Sequence, residues 1–343
     1  MRHKTRCYKE ENYDFFNAYR FLYKTVKENL PNAFVGGPMG IPHFPEGFME
    51  NFLKQCKDMG CIPDFVSILL FPYITEEKNG DISYRRTWNP DFELEEIARV
   101  RKMIQKAGIK AKLYVSEWNN TLSSRNYLND SCFRGAYFIS KLARLGEMVD
   151  LTGVWMASDW VSSYYDVGGM ANGGNGLLTK NTICKPVFYA FQFLNSLGEQ
   201  VIAKGEHYWV TKNGWKDYYI LCFNYKSLEE KADFADDYGE DPRELKQLYE
   251  NNVPVNICMD LTGMKDGEYV VKRRIISPKD GSLLWEWQKF DFDDTLSGQE
   301  IKYIRQICFP RIHRKKQTVQ QGVLHITETL GAYEMVLIHI YME

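Results

Sequence analysis

Apolar positions in the first two hundred residues recur with helical and strand periods in turn. Phe15, Tyr19, Leu22, Val26 and Leu30 are spaced by three or four and predict a helix over 12–30. Ala33–Gly37 is a short apolar stretch stopped by Pro38, and Glu46–Met59 reads as a helix closing on Gly60. Asp64–Phe71 (DFVSILLF) is a continuous apolar run, as in a strand buried on both faces. Asn89 and Pro90 predict the cap and first position of a helix with the stripe Leu94, Ile97, Val100, Ile104 and Ala107, ended by Gly108. Lys112–Ser116 reads as a strand, Asn129 or Asp130 caps a helix running to Leu145, and Leu151–Ala157 reads as another strand. Lys185-Pro186 opens a helix over Val187–Leu197, closed by Gly198.

Strands alternating with helices up to residue 198 predict an α/β fold with a parallel sheet and right-handed crossovers. After Gly198 the pattern shortens and alternates, at 208–210, 218–224, 269–277, 324–329 and 334–340. That predicts an antiparallel β-domain and a domain boundary at 198/199. Residues 227–252 are acidic and polar and predict an exposed loop with one short helix.

Composition narrows the function. Among 343 residues, 43 Lys and Arg face 45 Asp and Glu, a net charge of −2 that provides no basic field for nucleic acid. No apolar run reaches the length of a membrane span, and Met1-Arg-His-Lys-Thr-Arg leads into no apolar segment of a secretory signal. A cytoplasmic protein with no membrane partner is expected. Cysteines stand at 7, 56, 61, 132, 184, 222, 258 and 308 with no C-x-x-C pair, as expected of reduced, buried thiols. The sequons beginning at Asn119 and Asn129 are therefore read as chance. The six histidines show no metal-ligand spacing, and no cofactor is expected. Aromatic residues make up 15% of the chain, with 22 Tyr and 8 Trp; such rings stack on the C–H faces of pyranoses.

The sharpest local signal is Tyr114-Val115-Ser116-Glu117-Trp118-Asn119, an apolar strand ending in a carboxylate between Trp and Asn. Two-residue alternation puts Leu113, Val115 and Glu117 on one side, with Glu117 at the mouth of the sheet. There it fits a glycosidase nucleophile, and it fits equally a strand-end salt bridge. Trp155-Met156-Ala157-Ser158-Asp159-Trp160 ends the next strand, with Trp155 and Trp160 able to stack on a sugar or to fill a core. The glycines after it (168, 169, 173, 174, 176) follow no phosphate-loop spacing. His43 follows a glycine-rich turn and could lie near the mouth or in a surface loop. Arg311-Ile312-His313-Arg314-Lys315-Lys316 predicts a solvated turn of the β-domain, and without a G-x-S-x-G elbow a serine hydrolase is not expected.

Taken in order, these segments resemble glycoside hydrolase family 39, the β-xylosidase-type retaining enzymes. Tyr13–Leu30 resembles the helix after the acid/base strand, Asn32-Ala-Phe-Val-Gly-Gly-Pro38 the Gly-Gly-Pro strand, and Asp64-Phe-Val-Ser67 the sixth barrel strand. Ser116-Glu117-Trp118-Asn119 is similar to the seventh-strand motif whose Glu is the nucleophile. Trp155–Asp159, Gly176-Leu-Leu178 and Lys185-Pro-Val-Phe-Tyr-Ala-Phe191 resemble the eighth strand and its helix. Asp280-Gly281-Ser282 and Glu300–Arg305 resemble the accessory β-sandwich.

The resemblance implies a partial (β/α)8 TIM barrel over 1–198, units five to eight, followed by an antiparallel β-sandwich over 199–343. It implies hydrolysis of β-xylosides or short oligosaccharides, with Glu117 as nucleophile. Trp118, Asn119, Trp155, Asp159, Trp160, His43 and Phe71 are then the candidate sugar contacts. A complete barrel takes about 250 residues, and the family's Asn-Glu-Pro acid/base motif occurs nowhere in the chain. Leu69-Leu70-Phe71-Pro72 replaces the family's His-x-Tyr-Pro, and Ser162-Ser163 stands where a glutamate pair is usual. The expectation is a fragment of a longer protein whose open edges call for a missing N-terminal half or for a homodimer, in which Asp159 of the second copy would stand near the place of the missing acid of the first. The alternative is a non-catalytic carbohydrate-binding or sensing module of a sugar-responsive regulator.

Overall fold

A computed structural model describes residues 14–123, 125–159, 169–229 and 241–342. Cys7, Trp160, Ser162, Ser163 and Gly168 lie outside the described residues. The elements in chain order are α1 (Phe15–Asn29), β1 (Gly36–Gly40), α2 (Phe48–Asp58), β2 (Phe65–Leu70), β3 (Tyr73–Lys78), β4 (Asp81–Arg86), α3 (Phe92–Ala107) and β5 (Lys112–Trp118). Then come α4 (Cys132–Leu145), β6 (Leu151–Val154), α5 (Pro186–Asn195), β7 (Gln200–Lys204), β8 (Tyr208–Asn213), β9 (Asp217–Phe223) and α6 (Lys246–Glu250). The chain closes with β10 (Val255–Thr262), β11 (Gly267–Ile276), α7 (Leu283–Gln288), α8 (Gly298–Ile307), β12 (Arg311–Val319), β13 (Val323–Leu330) and β14 (Met335–Tyr341). The architecture is α/β, in two compact units: residues up to 119 with 145–155, and residues 120–144 with those from 156 onward.

The first unit is built on a parallel sheet in the order β1-β2-β5-β6. Its apolar row is Val66, Ile68, Leu113 and Val115, each fully buried. Helix α2 covers β1 through the buried Phe52 and Met49, each in ordinary van der Waals range of the strand, 3.7 Å from where a Cβ would stand at Gly37 and Gly40. Helix α3 ends as predicted, with Gly108 in the left-handed region. Its start is displaced from Asn89 to Asp91; Asn89 instead accepts the Asp91 N–H in a local turn. Strands β3 and β4 form a hairpin that apolar periodicity does not announce. Its signal is the Asn79-Gly80 pair, both at positive φ, joining strands that pair Lys78 with Asp81. Among the described residues, β1 and β6 each have a strand on one side only.

The second unit carries an antiparallel six-stranded sheet, β12-β11-β14-β9-β8-β7, and a two-stranded sheet, β10-β13. One core joins them: Ile220, Val271, Ile338 and Ile340 from the larger sheet pack with Ile257, Leu261, Leu324 and Ile326 from the smaller. The basic stretch 311–316 is not a turn but most of edge strand β12, with exposed side chains. Cations along an edge keep it from pairing with other chains, which is why the run looks like loop composition. Strands β7 and β10 and helices α7 and α8 also go beyond the elements expected from periodicity.

The glycine-rich segment has a structural task in this unit. Lys185, just ahead of α5, is fully buried, and its Nζ lies 2.5 Å from Asp130 and 2.7 Å from Asp159. It also donates to the Gly174 carbonyl at 2.7 Å. The Gly173 N–H donates to Asp130 at 2.7 Å and the Gly176 N–H to Asp159 at 2.8 Å. Arg134 of α4, also fully buried, donates to the carbonyls of Asn175 (2.6 Å) and Gly176 (2.7 Å). Desolvation lowers its pKa to about 10, which leaves it charged at neutral pH. Side chains at 174 or 176 would collide with Asp159, their Cβ atoms 2.4 Å and 2.3 Å from its atoms. The seven described cysteines are unpaired, most of them buried, and Asn119 and Asn129 are fully buried, which excludes a glycan on either in the folded chain.

Removing one member of a buried ion network leaves a charge uncompensated, at a cost of roughly 3–5 kcal/mol. Lys185→Met should therefore lower the stability measured by urea unfolding by about that amount, and a variant with an unchanged midpoint would show that the network does not hold the unit together.

Candidate active site

Glu117 stands at the carboxyl end of β5, the end at which parallel α/β sheets place ligand-binding groups. Its aim is set by a β-bulge. Strand β2 pairs Ile68 with Val115 and then Leu69 with Glu117, so Ser116 is one residue in excess. Strand β6 makes the same step, pairing Thr152 with Val115 and Val154 with Trp118. Simple alternation therefore fails at this point. Trp118, 0% exposed, continues the buried row of Leu113 and Val115, while Glu117 comes opposite Leu69, in the row of Phe65 and Ser67. On that half-open face Phe65 stacks on Tyr114 at 4.5 Å, and the Ser67 and Ser116 hydroxyls bond to each other. Gly153 of β6 completes the arrangement, since a Cβ there would lie 2.5 Å from the Ser116 carbonyl oxygen.

Among the described residues the Glu117 side chain forms neither an ion pair nor a hydrogen bond, so the salt-bridge reading of this residue has no partner to support it. Burial without a counter-charge raises its pKa above 4.5. An unpaired carboxylate at an open strand end keeps its oxygens for an external electrophile or proton.

The same sheet edge gathers several of the candidate sugar contacts. Phe71 follows β2 and is half-buried. Trp155 follows β6, half-buried, and its N–H donates to the Trp118 carbonyl at 3.0 Å. The Asn119 N–H reaches the Leu70 carbonyl at 3.4 Å. The Trp118 ring and the Asn119 side chain belong to the interior, both at 0% exposure. His43 has both ring nitrogens engaged: Nδ1 lies 2.9 Å from Glu96, and Nε2 accepts the Thr75 N–H at 3.0 Å. It thus pins the β3–β4 hairpin to α3. Asp159 belongs to the second unit, where its carboxylate is 2% exposed: one oxygen takes Lys185 and the Gly176 N–H, and the other is buried without a hydrogen-bond partner among the described residues, so neither is presented to a substrate from solvent. Trp160 lies outside the described residues.

The supports of Glu117 are what the sequence reading lacks: Ser67, Ser116 and Gly153. One of them leaves a trace, since Ser67 is the single polar residue within the β2 run FVSILL. Among the described residues no group of three or more His, Cys, Asp or Glu side chains gathers as a metal site, and no helix is long and apolar enough to cross a membrane.

Residues 3–325 match the profile of glycosyl hydrolases family 39, and the chain belongs to that family. It is 25% identical over 331 residues to a β-xylosidase of Geobacillus stearothermophilus, covering 95% of this chain and 61% of that one. The chain thus spans about three-fifths of the length of that relative. It is also 20% identical over 204 residues to an HTH-type transcriptional regulator of Staphylococcus aureus, covering 60% of this chain and 26% of the regulator. The structure of a monomeric β-xylosidase from Caulobacter crescentus CB15 matches with a TM-score of 0.80 at 20% identity, over 95% of this chain and 65% of the other; the fold is shared.

The raised pKa of Glu117 has a consequence for stability. The fold favours the protonated carboxyl, so this group contributes most below pH 4.5, and the contribution is lost as pH rises through the raised value. Glu117→Gln should melt above the wild type at pH 7, with the gap closing as pH falls below 4.5. Equal melting temperatures at pH 7 would show that the carboxylate is not desolvated.

Proposed function

We propose that this chain carries the nucleophile half of a retaining, β-xylosidase-type active site, with Glu117 attacking the anomeric carbon. The observation that carries the reading is the unpaired, half-buried carboxylate that the bulge turns onto the open face of the sheet, in a chain of family 39. In a double displacement the carboxylate forms a glycosyl-enzyme ester while a second carboxyl, about 5–5.5 Å away, protonates the leaving oxygen and then activates water. Trp155 and Phe71, at the flanking strand ends, supply ring faces for the sugar.

No residue of this chain is assigned to the acid. The sequence contains no Asn-Glu-Pro, and Asp159 is held by Lys185. General acid catalysis is typically worth 10²–10⁴-fold. The chain by itself should therefore turn over aryl xylosides with good leaving groups, such as dinitrophenyl xyloside, far better than xylobiose. A 2-fluoroxyloside with a dinitrophenyl leaving group should label the peptide that contains Glu117. A label on another carboxylate, full labelling in Glu117→Gln, or brisk xylobiose turnover would overturn the assignment.

The parallel sheet is read as strands five to eight of a (β/α)8 barrel, with an accessory β-sandwich over 199–343. Among the described residues β1 and β6 each keep an open edge, which supports this because exposed edges are avoided in isolated proteins. The edges would be covered by a separate N-terminal half or by a second copy of the chain. Size exclusion with light scattering should accordingly show a dimer or larger assemblies; a soluble, cooperatively folding 40.2 kDa monomer would end the half-barrel reading.

A second reading, a sugar-sensing module, is favoured by the match to the HTH-type regulator and by Leu69 and Phe71 at the His-x-Tyr-Pro position. Tight binding of xylose or xylobiose without any labelling of Glu117 would select it.

A further inference from the structure

The face of the six-stranded sheet turned away from the core it shares with β10 and β13 holds a recess beside helix α5. Its volume is about 360 Å³, and it is lined by Ser196, Tyr219, Lys272, Arg274, Leu337 and His339. The register shows how the sequence builds it. Tyr269, Val271 and Ile275 of β11 face the core, so Lys272 and Arg274 face outward. Lys272 pairs with His339 and His339 with Tyr219, forming one cross-strand row, while Arg274 pairs with Leu337 in the next. Tyr219 stacks on His339 at 4.4 Å with an interplanar angle of 7°. The floor is therefore aromatic and apolar, with two cations along one side.

Those cations differ from the others around them. Arg273, on the opposite face of β11, is 2.5 Å from Glu328; Lys316 is 2.8 Å from Glu268; Arg311 is 3.3 Å from Asp280. Among the described residues Lys272 and Arg274 have no carboxylate partner. Arg274 is held in place by neutral groups, donating to Ser196 Oγ at 2.8 Å and Gln192 Oε1 at 3.3 Å and lying over the Phe193 ring. Of the acids on this face, Glu268 is the one paired with Lys316, and Asp217 is turned to His339 at 2.5 Å and accepts the Tyr219 hydroxyl at 3.0 Å. Half-buried cations left without a counter-charge are poised for an external anion.

We propose that this recess binds a small anionic sugar, its carboxylate or phosphate between Lys272 and Arg274 and its ring against Tyr219. The volume suits a monosaccharide, and the two oxyanions share the chemistry that a Lys–Arg pair recognises. That the anion is borne on a sugar rests on the family reading of the chain; the anion site itself does not.

Calorimetric titration of the full chain tests it with four probes: glucuronate, glucose 6-phosphate, inorganic phosphate and xylose. Glucuronate or glucose 6-phosphate should bind, more tightly than inorganic phosphate, and the affinity should fall as salt rises. The better of the two identifies the oxyanion. Lys272→Ala and Arg274→Gln should each weaken it by roughly tenfold or more, with melting temperatures showing that both variants fold. Binding should persist in Glu117→Gln, which separates the recess from the strand-end site. No heat with either anionic sugar, or affinity untouched by either variant, overturns the proposal. Inorganic phosphate binding as tightly as the sugars overturns its sugar component, and loss of binding in Glu117→Gln places the ligand elsewhere.

Discussion

Lys185 lies in the interior of the second unit with no access to water, between Asp130 and Asp159. Desolvating an ammonium costs several kcal/mol, and the arrangement is tenable only because two carboxylates and a carbonyl replace its hydration shell. The carboxylates need further donors in turn. The N–H groups of Gly173 and Gly176 provide them, and the neighbouring carbonyls accept from Arg134. Glycine is required because the backbone must come against Asp159 more closely than a Cβ permits. One buried lysine thus dictates the composition of a loop, the place of α4 and α5 around it and the fate of Asp159.

The first unit obeys the opposite logic at Glu117. There the chain does not satisfy the carboxylate, and it arranges the backbone so that the carboxylate stays accessible. An additional residue in β5, a serine pair across to β2 and a glycine on β6 cooperate to turn one side chain by one row. Neutralising that carboxylate within the protein would leave a more comfortable fold, since an unpaired, half-buried charge is kept at a cost in stability.

The charges of this protein consequently fall into two groups. Those paired in the interior or across strands, such as Lys185 with Asp130 and Arg273 with Glu328, are structural. Others have no counter-charge among the described residues and stand in partly desolvated surroundings, Glu117 on one sheet and Lys272 with Arg274 on another.

The sequence by itself determined much of the architecture. The apolar run at 64–71, the helix stripes, Gly108 and Pro186 mark real elements because a buried face and a cap each impose a local residue pattern. The Asn79-Gly80 hairpin was equally legible, in turn chemistry rather than in periodicity. Glu117 stood out because a carboxylate at the end of an apolar strand is chemically conspicuous. What only the tertiary structure decided depends on residues far apart in the chain. Which face Glu117 takes is set by strand pairing across a bulge, and alternation alone puts it in the wrong row. That Trp118 fills the core, that His43 binds Glu96 and Thr75, and that Asp159 belongs to Lys185 follow from partners between 26 and 53 residues away in several cases. Such pairings leave no periodic trace, because the energy that fixes them arises only when the separate segments meet.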